Sequence, residues 1–131
     1  MFSSPQLAST FPNKLLGTTL FAFEDISSTN CFVLDLIQKQ PHAGTLIFAD
    51  HQTNGRGRVE RLWFSPPGMN VYASLIKALP DTLSNHNVGW IALLAGLAIA
   101  RSLEESTAFS LDLKWPNDIL LGGRKLGGIL C

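Results

Sequence analysis

The chain has 131 residues, enough for one ordinary hydrophobic core, and with 46% hydrophobic and 15% charged residues it is not disordered in bulk. Ten Lys and Arg balance ten Asp and Glu, so no overall charge draws the protein to nucleic acid or to an anionic membrane. Two cysteines, Cys31 and Cys131, are too few for a disulfide framework or a cysteine zinc site; the most apolar stretch, Val88 to Ala100, spans about 13 residues against the ~20 of a membrane helix.

Residues 1–19, with Pro5, Pro12 and many Ser and Thr, read as a loose arm. They carry neither an early positive charge nor an apolar run, so no secretory signal is recognised and a cytoplasmic location is expected. Leu20 to Phe23 reads as a short strand. Ser27-Ser28-Thr29-Asn30 then supplies hydroxyl and amide N-caps ahead of an apolar pattern at 33, 34 and 37, which predicts a helix ended by Pro41 and Gly44. Thr45 to Ala49 is β-branched and aromatic, as a buried strand requires. Strand patterning returns over Asn70 to Ala78, and Asn85 to Glu105 predicts a long helix, with its apolar part buried and Trp90 in the core. Leu111 to Lys114 alternates with period two. Asn117-Asp118 and Gly122-Gly123 mark tight turns, and Lys125 to Cys131 begins a further strand. These elements predict an α+β fold, a mixed, mostly antiparallel sheet covered by helices.

Four segments carry chemistry. Between Asn54 and Trp63 three arginines face one glutamate, and Gly55 and Gly57 permit left-handed backbone and close approach to a ligand. Such a loop can cradle an anion with its amides and grip it with guanidinium forks; a solvated basic loop or an RNA contact has the same composition. Lys114-Trp115-Pro116-Asn117-Asp118 delivers a lysine from a strand into a turn bearing oxygen ligands. That set suits Mg²⁺ held through water and phosphates, or equally a plain hairpin turn. Lys125 precedes Gly127-Gly128, a pair that marks a bulge or a ligand's close approach, and it is either a point charge over a pocket or a surface lysine. Ser28, Thr29 and Asn30 are cap residues that can also hold a polar head group. The three histidines, 42, 51 and 86, have no metal-ligand spacing, and no Walker or nucleophile-elbow motif is present.

Taken in order, SSTN, QTNGRGRVERLWFSPPGMN, KWPNDI and RKLGGIL closely resemble the catalytic domain of biotin protein ligases, in the biotin/lipoate protein ligase superfamily. The likeness runs from about Phe21 to Cys131, so the expected layout is an arm over 1–19 and one catalytic domain over 20–131. The resemblance implies a class II synthetase-like fold and a two-step acyl transfer. Biotin and MgATP give biotinoyl-5′-adenylate, and biotin then passes to a lysine of a biotin carboxyl carrier domain, such as that of acetyl-CoA carboxylase. It assigns Ser28, Thr29, Asn30 and Gln52 to the biotin rings, and Gly55, Arg56, Gly57 and Arg58 to a loop closing over biotin and adenylate. Arg56, Arg58, Arg61, Trp63, Asn117 and Asp118 fall to the nucleotide, with Asp118 a candidate Mg²⁺ ligand. Lys125 falls to the biotin carboxylate and α-phosphate, and Arg56, Arg58, Lys114 and Lys125 form the catalytic charge set.

Members of that family continue past the equivalent of Cys131, so the resemblance implies a chain truncated at its C-terminus. No DNA-binding helix-turn-helix precedes Phe21, which implies a ligase without repressor function; a homodimer stays open. Two other readings stand beside this one: a lipoate or octanoyl ligase or transferase, and a non-catalytic biotin-binding fragment. An RNA-binding module is disfavoured by the zero net charge.

Overall fold

Strand β1, Leu20–Ile26, runs parallel to β2, Leu46–Gln52, with Leu20 beside Leu46 and Ile26 beside Gln52. Parallel neighbours need a crossover, and helix α1, Thr29–Ile37, supplies it. A short β3, Tyr72–Leu75, pairs antiparallel with the other edge of β2, giving a three-stranded sheet in the order β1-β2-β3. The structure is a computed structural model and describes residues 19–39, 43–80 and 88–131. Helix α1 packs on β2 and β3. Its Val33 is buried, and Phe32 meets Phe23 edge-on with ring centroids 5.0 Å apart. The middle strand holds the core: Leu46, Ile47 and Ala49 are buried, Ile47 completely. A fully buried aliphatic side chain of that size contributes roughly 1.5–3 kcal/mol.

A second compact unit covers Leu79–Cys131, the first being Met1–Ala78. In it β4 (Leu111–Lys114), β5 (Asp118–Leu121) and β6 (Arg124–Gly128) form an antiparallel meander. Gly122 and Gly123 connect β5 to β6 at φ +56° and +76°. Both are left-handed, the geometry of the tight hairpin turn that glycine accommodates without strain. Helix α2, Val88–Ser106, lies on β4 and β5 through a stripe of small residues, Ala92, Gly96 and Ala100, all buried. A Cβ on Gly96 would stand 3.4 Å from Ile129 Cδ1 and 3.5 Å from Leu113 Cδ2, so the helix is seated closely there.

The α+β class and the mixed, mostly antiparallel pairing stand as expected, divided among the described residues between two three-stranded sheets. Three expectations need correction. Strand β1 runs on to Ile26 and β2 to Gln52, because their paired register continues past the apolar runs. The strand expected over Asn70 to Ala78 is ordered as β structure for only four residues. Helix α2 is not buried around its apolar part: a small sheet covers one stripe of it, and Trp90, placed in the core by its apolar neighbours, is 65% exposed. The arm up to Thr18, the helix stop at Pro41 and the helix start at Asn85 lie outside the described residues.

Candidate functional site

In the first unit the site is built around the N-terminus of α1. Ser28 is the N-cap, in extended backbone, and its hydroxyl accepts from the Cys31 amide at 3.4 Å. It is buried, as is Thr29, and Asn30 beside them is half-buried. Gln52, at the end of β2, reaches back to this turn. Its Oε1 accepts from the Thr29 amide at 2.8 Å and from Thr29 Oγ1 at 3.1 Å. Its Nε2 donates to Ser65 Oγ at 3.0 Å, and Ser65 donates in turn to the Trp63 carbonyl at 3.0 Å. Ser74, on β3, donates to Thr29 Oγ1 at 2.9 Å.

The direction of every bond in this relay is forced. The Thr29 N–H can only donate, so the Gln52 oxygen must face it and the Gln52 nitrogen must face Ser65. The Trp63 carbonyl can only accept, so Ser65 donates to it. Ser65 and Ser74 carry no motif signal of their own. The sign that could have marked Ser74 is period two, since it stands two residues from buried Tyr72 on β3; Ser65 carries no such sign.

The arginine segment folds back on itself. Arg56 bridges Leu62, the Trp63 amide donates to the Gly55 carbonyl at 2.8 Å, and the Gly57 amide to the Arg61 carbonyl at 2.7 Å. At the tip the Arg61 amide closes on the Arg58 carbonyl at 3.2 Å, around Val59 at φ +54° and Glu60 at φ +56°. The expectation that Gly55 and Gly57 would take left-handed backbone is therefore corrected: the left-handed residues are Val59 and Glu60. Gly55 serves a different purpose. It is buried, and a Cβ there would fall 2.5 Å from both Ser65 Oγ and the Trp63 carbonyl and 3.1 Å from Gln52 Nε2. The hairpin holds the Arg56, Arg58 and Arg61 side chains out in solvent. Residues 51–55 and 62–67 border an open groove of about 710 Å³, within the range of small-molecule sites.

A β-branched residue and a glutamate in successive left-handed positions cost on the order of 1 kcal/mol or more each. Replacing them by the preferred pair, Val59→Asn with Glu60→Gly, should raise the unfolding midpoint by several degrees, about 1–2 kcal/mol. Thermal unfolding followed by circular dichroism checks this, and an unchanged midpoint would mean the tip is not strained.

In the second unit, Lys114 on β4 stands opposite Asp118 on β5, which stands opposite Gly128 on β6. The Asp118 Oδ1 is buried and takes the Lys125 ammonium at 2.7 Å; among the described residues no other donor reaches it. Asn117 fastens the preceding turn to the chain beyond β6. Its carbonyl accepts from the Ile129 amide and its Nδ2 donates to the Ile129 carbonyl, both at 2.9 Å. Asn117 and Asp118, expected at the nucleotide, are thus engaged within the sheet. In this structure the Asp118 Oδ1 is taken by the Lys125 ammonium, the position a directly bound cation would need. The hollow beside it, lined by Lys114, Asn117 and Asp118 among others, is about 10 Å³, room for at most one water. Among the described residues no three His, Cys, Asp or Glu side chains gather as a metal site, and no helix is long and apolar enough to cross a membrane.

A profile of the Biotin/lipoate A/B protein ligase family matches residues 22–131. The chain belongs to this family. Among its ligase relatives, the bifunctional ligase/repressor BirA of Bacillus subtilis is 38% identical over 117 residues, covering 89% of this chain and 35% of BirA. The biotin–[acetyl-CoA-carboxylase] ligase of Mycobacterium tuberculosis is 39% identical over 90 residues, 66% of this chain and 34% of that one. The chain therefore spans about a third of the length of these curated relatives. The biotin protein ligase from Aquifex aeolicus, solved in complex with biotin and ATP, superposes with a TM-score of 0.73 at 34% identity, over 86% of this chain and 45% of that one.

The structure brings the expected residues of this family member together in two sets. Thr29, Gln52 and Trp63 are joined through the relay in the first unit, with Ser28 next to Thr29 as the helix cap and Gly55 packed against Ser65 and the Trp63 carbonyl, while the Arg56, Arg58 and Arg61 side chains stand in solvent; Lys114, Asn117, Asp118 and Lys125 are neighbours in the second.

Proposed function

We propose that this chain serves ATP-dependent protein biotinylation: biotin and MgATP form biotinoyl-5′-adenylate, and biotin then passes to a lysine of a biotin carboxyl carrier domain. The observation that carries this reading is the relay from Ser74 through Thr29, Gln52 and Ser65 to the Trp63 carbonyl. Its bonds use both lone pairs of Gln52 Oε1 and one N–H of Nε2. Among the described residues, what remains is one N–H donor on Gln52 and one lone pair on Thr29 Oγ1. A donor beside an acceptor complements the C=O and N–H of a cyclic urea, the head group of biotin. The dithiolane of lipoate and the methyl end of octanoate offer neither group, and burying them here would leave both protein groups unpaired, at about 1–3 kcal/mol each.

The remaining roles follow from charge. Joining a carboxylate to a triphosphate concentrates negative charge in the transition state, and Arg56, Arg58, Lys114 and Lys125 supply the compensating charge. No protein nucleophile is required, because positioning and charge carry the step. The Gly55–Trp63 hairpin, with three solvent-directed guanidinium groups, is suited to close on the anionic adenylate, and Arg61 and Trp63 are assigned to its nucleotide side. The adenylate is prone to hydrolysis, so excluding water from it protects the intermediate. ATP carries its own Mg²⁺ through its phosphates.

The test offers the protein ATP with biotin, lipoate or octanoate and looks for the acyl-adenylate by mass spectrometry. The expected product is biotinoyl-adenylate alone. Lipoyl- or octanoyl-adenylate formed equally well would overturn the choice of acid, and biotin binding with no adenylate would favour a non-catalytic biotin-binding role.

A further inference from the structure

The row Lys114, Asp118, Gly128 runs straight across the three strands of the second unit, yet the Asp118 carboxylate is ion-paired with a residue outside that row, Lys125. Two backbone features make this possible. The β5–β6 register slips between Ile119 and Leu120, so that Lys125 pairs with Leu120 while Gly128 pairs with Asp118. The partner directly opposite Asp118 then has no side chain, and the lysine stem crosses the vacant position. A Cβ on Gly128 would stand 3.4 Å from both Cε and Nζ of Lys125 and 3.5 Å from Asp118 Oδ1. The carboxylate is the more enclosed partner, 21% exposed against 41% for the lysine side chain. Asn117, hydrogen-bonded in both directions to Ile129, ties the turn before Asp118 to the chain just beyond β6.

We propose that Asp118 is a positioning residue for Lys125: it holds the ammonium in place and stands in for the substrate's anion until that anion arrives. This rests on the reading that Lys125 takes the charge of the activated carboxylate and α-phosphate. An enclosed carboxylate that binds the same ammonium competes with the incoming anion, so the free site carries an occupied anion position. Removing the competitor leaves anion affinity intact or improved, because the substrate no longer has to displace it. It also removes the contact that fixes the ammonium beside Asp118, and a displaced charge costs turnover. A merely structural aspartate would give the opposite pattern, a site that binds less well.

The experiment compares the full chain with Asp118→Asn and Asp118→Glu. Lysines are labelled competitively with acetic anhydride and read by mass spectrometry, with exposed Lys77 of the first unit as the internal reference. Lys125 should label more slowly than Lys77 in the wild type. Asp118→Asn should accelerate Lys125 alone, and Asp118→Glu should restore most of the protection. In biotin-dependent pyrophosphate exchange, Asp118→Asn should lower kcat by roughly 10–100-fold without raising the KM for biotin. Equal Lys125 labelling in wild type and Asp118→Asn, or a raised KM with kcat intact, would overturn the proposal. Absence of exchange in the wild type would count against the function proposed above, while the labelling would still decide whether Asp118 holds the lysine.

Discussion

Lys125→Ala should cut biotin-dependent pyrophosphate exchange by about 10²–10³-fold, roughly 3–4 kcal/mol, the loss typical of removing one preorganised electrostatic contact. The ammonium is half-exposed and held at 2.7 Å by Asp118, so the wild type presents a positive charge already fixed in space. Alanine removes that charge and leaves the Asp118 carboxylate, its Oδ1 buried, without its ammonium partner; the bare carboxylate would repel an incoming anion. The loss should therefore exceed what an exposed lysine of the same chain, such as Lys77, would show. Near-normal exchange in the variant would remove Lys125 from the chemistry.

Gly55→Ala should be the most damaging single-methyl addition in the first unit. The new Cβ lands 2.5 Å from two atoms, and the two can yield in different ways. Ser65 Oγ can swing aside only by abandoning its bonds to Gln52 and the Trp63 carbonyl. The Trp63 carbonyl cannot move freely, because the Trp63 amide is tied to Gly55 itself. Overpacking of about 1–3 kcal/mol and a lost hydrogen bond of about 1 kcal/mol add to a destabilisation of roughly 2–4 kcal/mol. Gly57→Ala is the matched control, since its Cβ would meet only the Arg61 carbonyl at 3.5 Å and Arg61 Cβ at 3.9 Å. Thermal unfolding of the two variants should separate them by about 10 °C. Equal midpoints would mean that the segment rearranges at little cost and that Gly55 does not hold the relay.

Much of this was legible in the chain itself, where the physics is local. The Ser28 cap, the buried strand through Ile47 and the paired glycines of the last hairpin each follow from side chains within a few residues of one another. What stayed hidden depends on partners brought from afar. Thr29 meets Gln52 across 23 positions and Ser74 across 45, and nothing in SSTN or QTNG announces either contact. The Asp118–Lys125 pair depends on a register slip, which no hydrophobic pattern encodes. The exposure of Trp90 reflects how little sheet lies beneath α2, a property of the neighbour and not of the helix. Arginine-loop composition suggested glycine flexibility, whereas hairpin twist placed the left-handed turn at Val59 and Glu60.

The relay runs from the Ser74 hydroxyl and the Thr29 amide to the Trp63 carbonyl, and every side-chain link in it is a hydroxyl or a carboxamide. None of these groups gains or loses a proton between strong acid and strong base. The head-group selection proposed for the relay would therefore rest on groups that do not titrate, in contrast to the lysines and arginines proposed to carry the charge of the reaction.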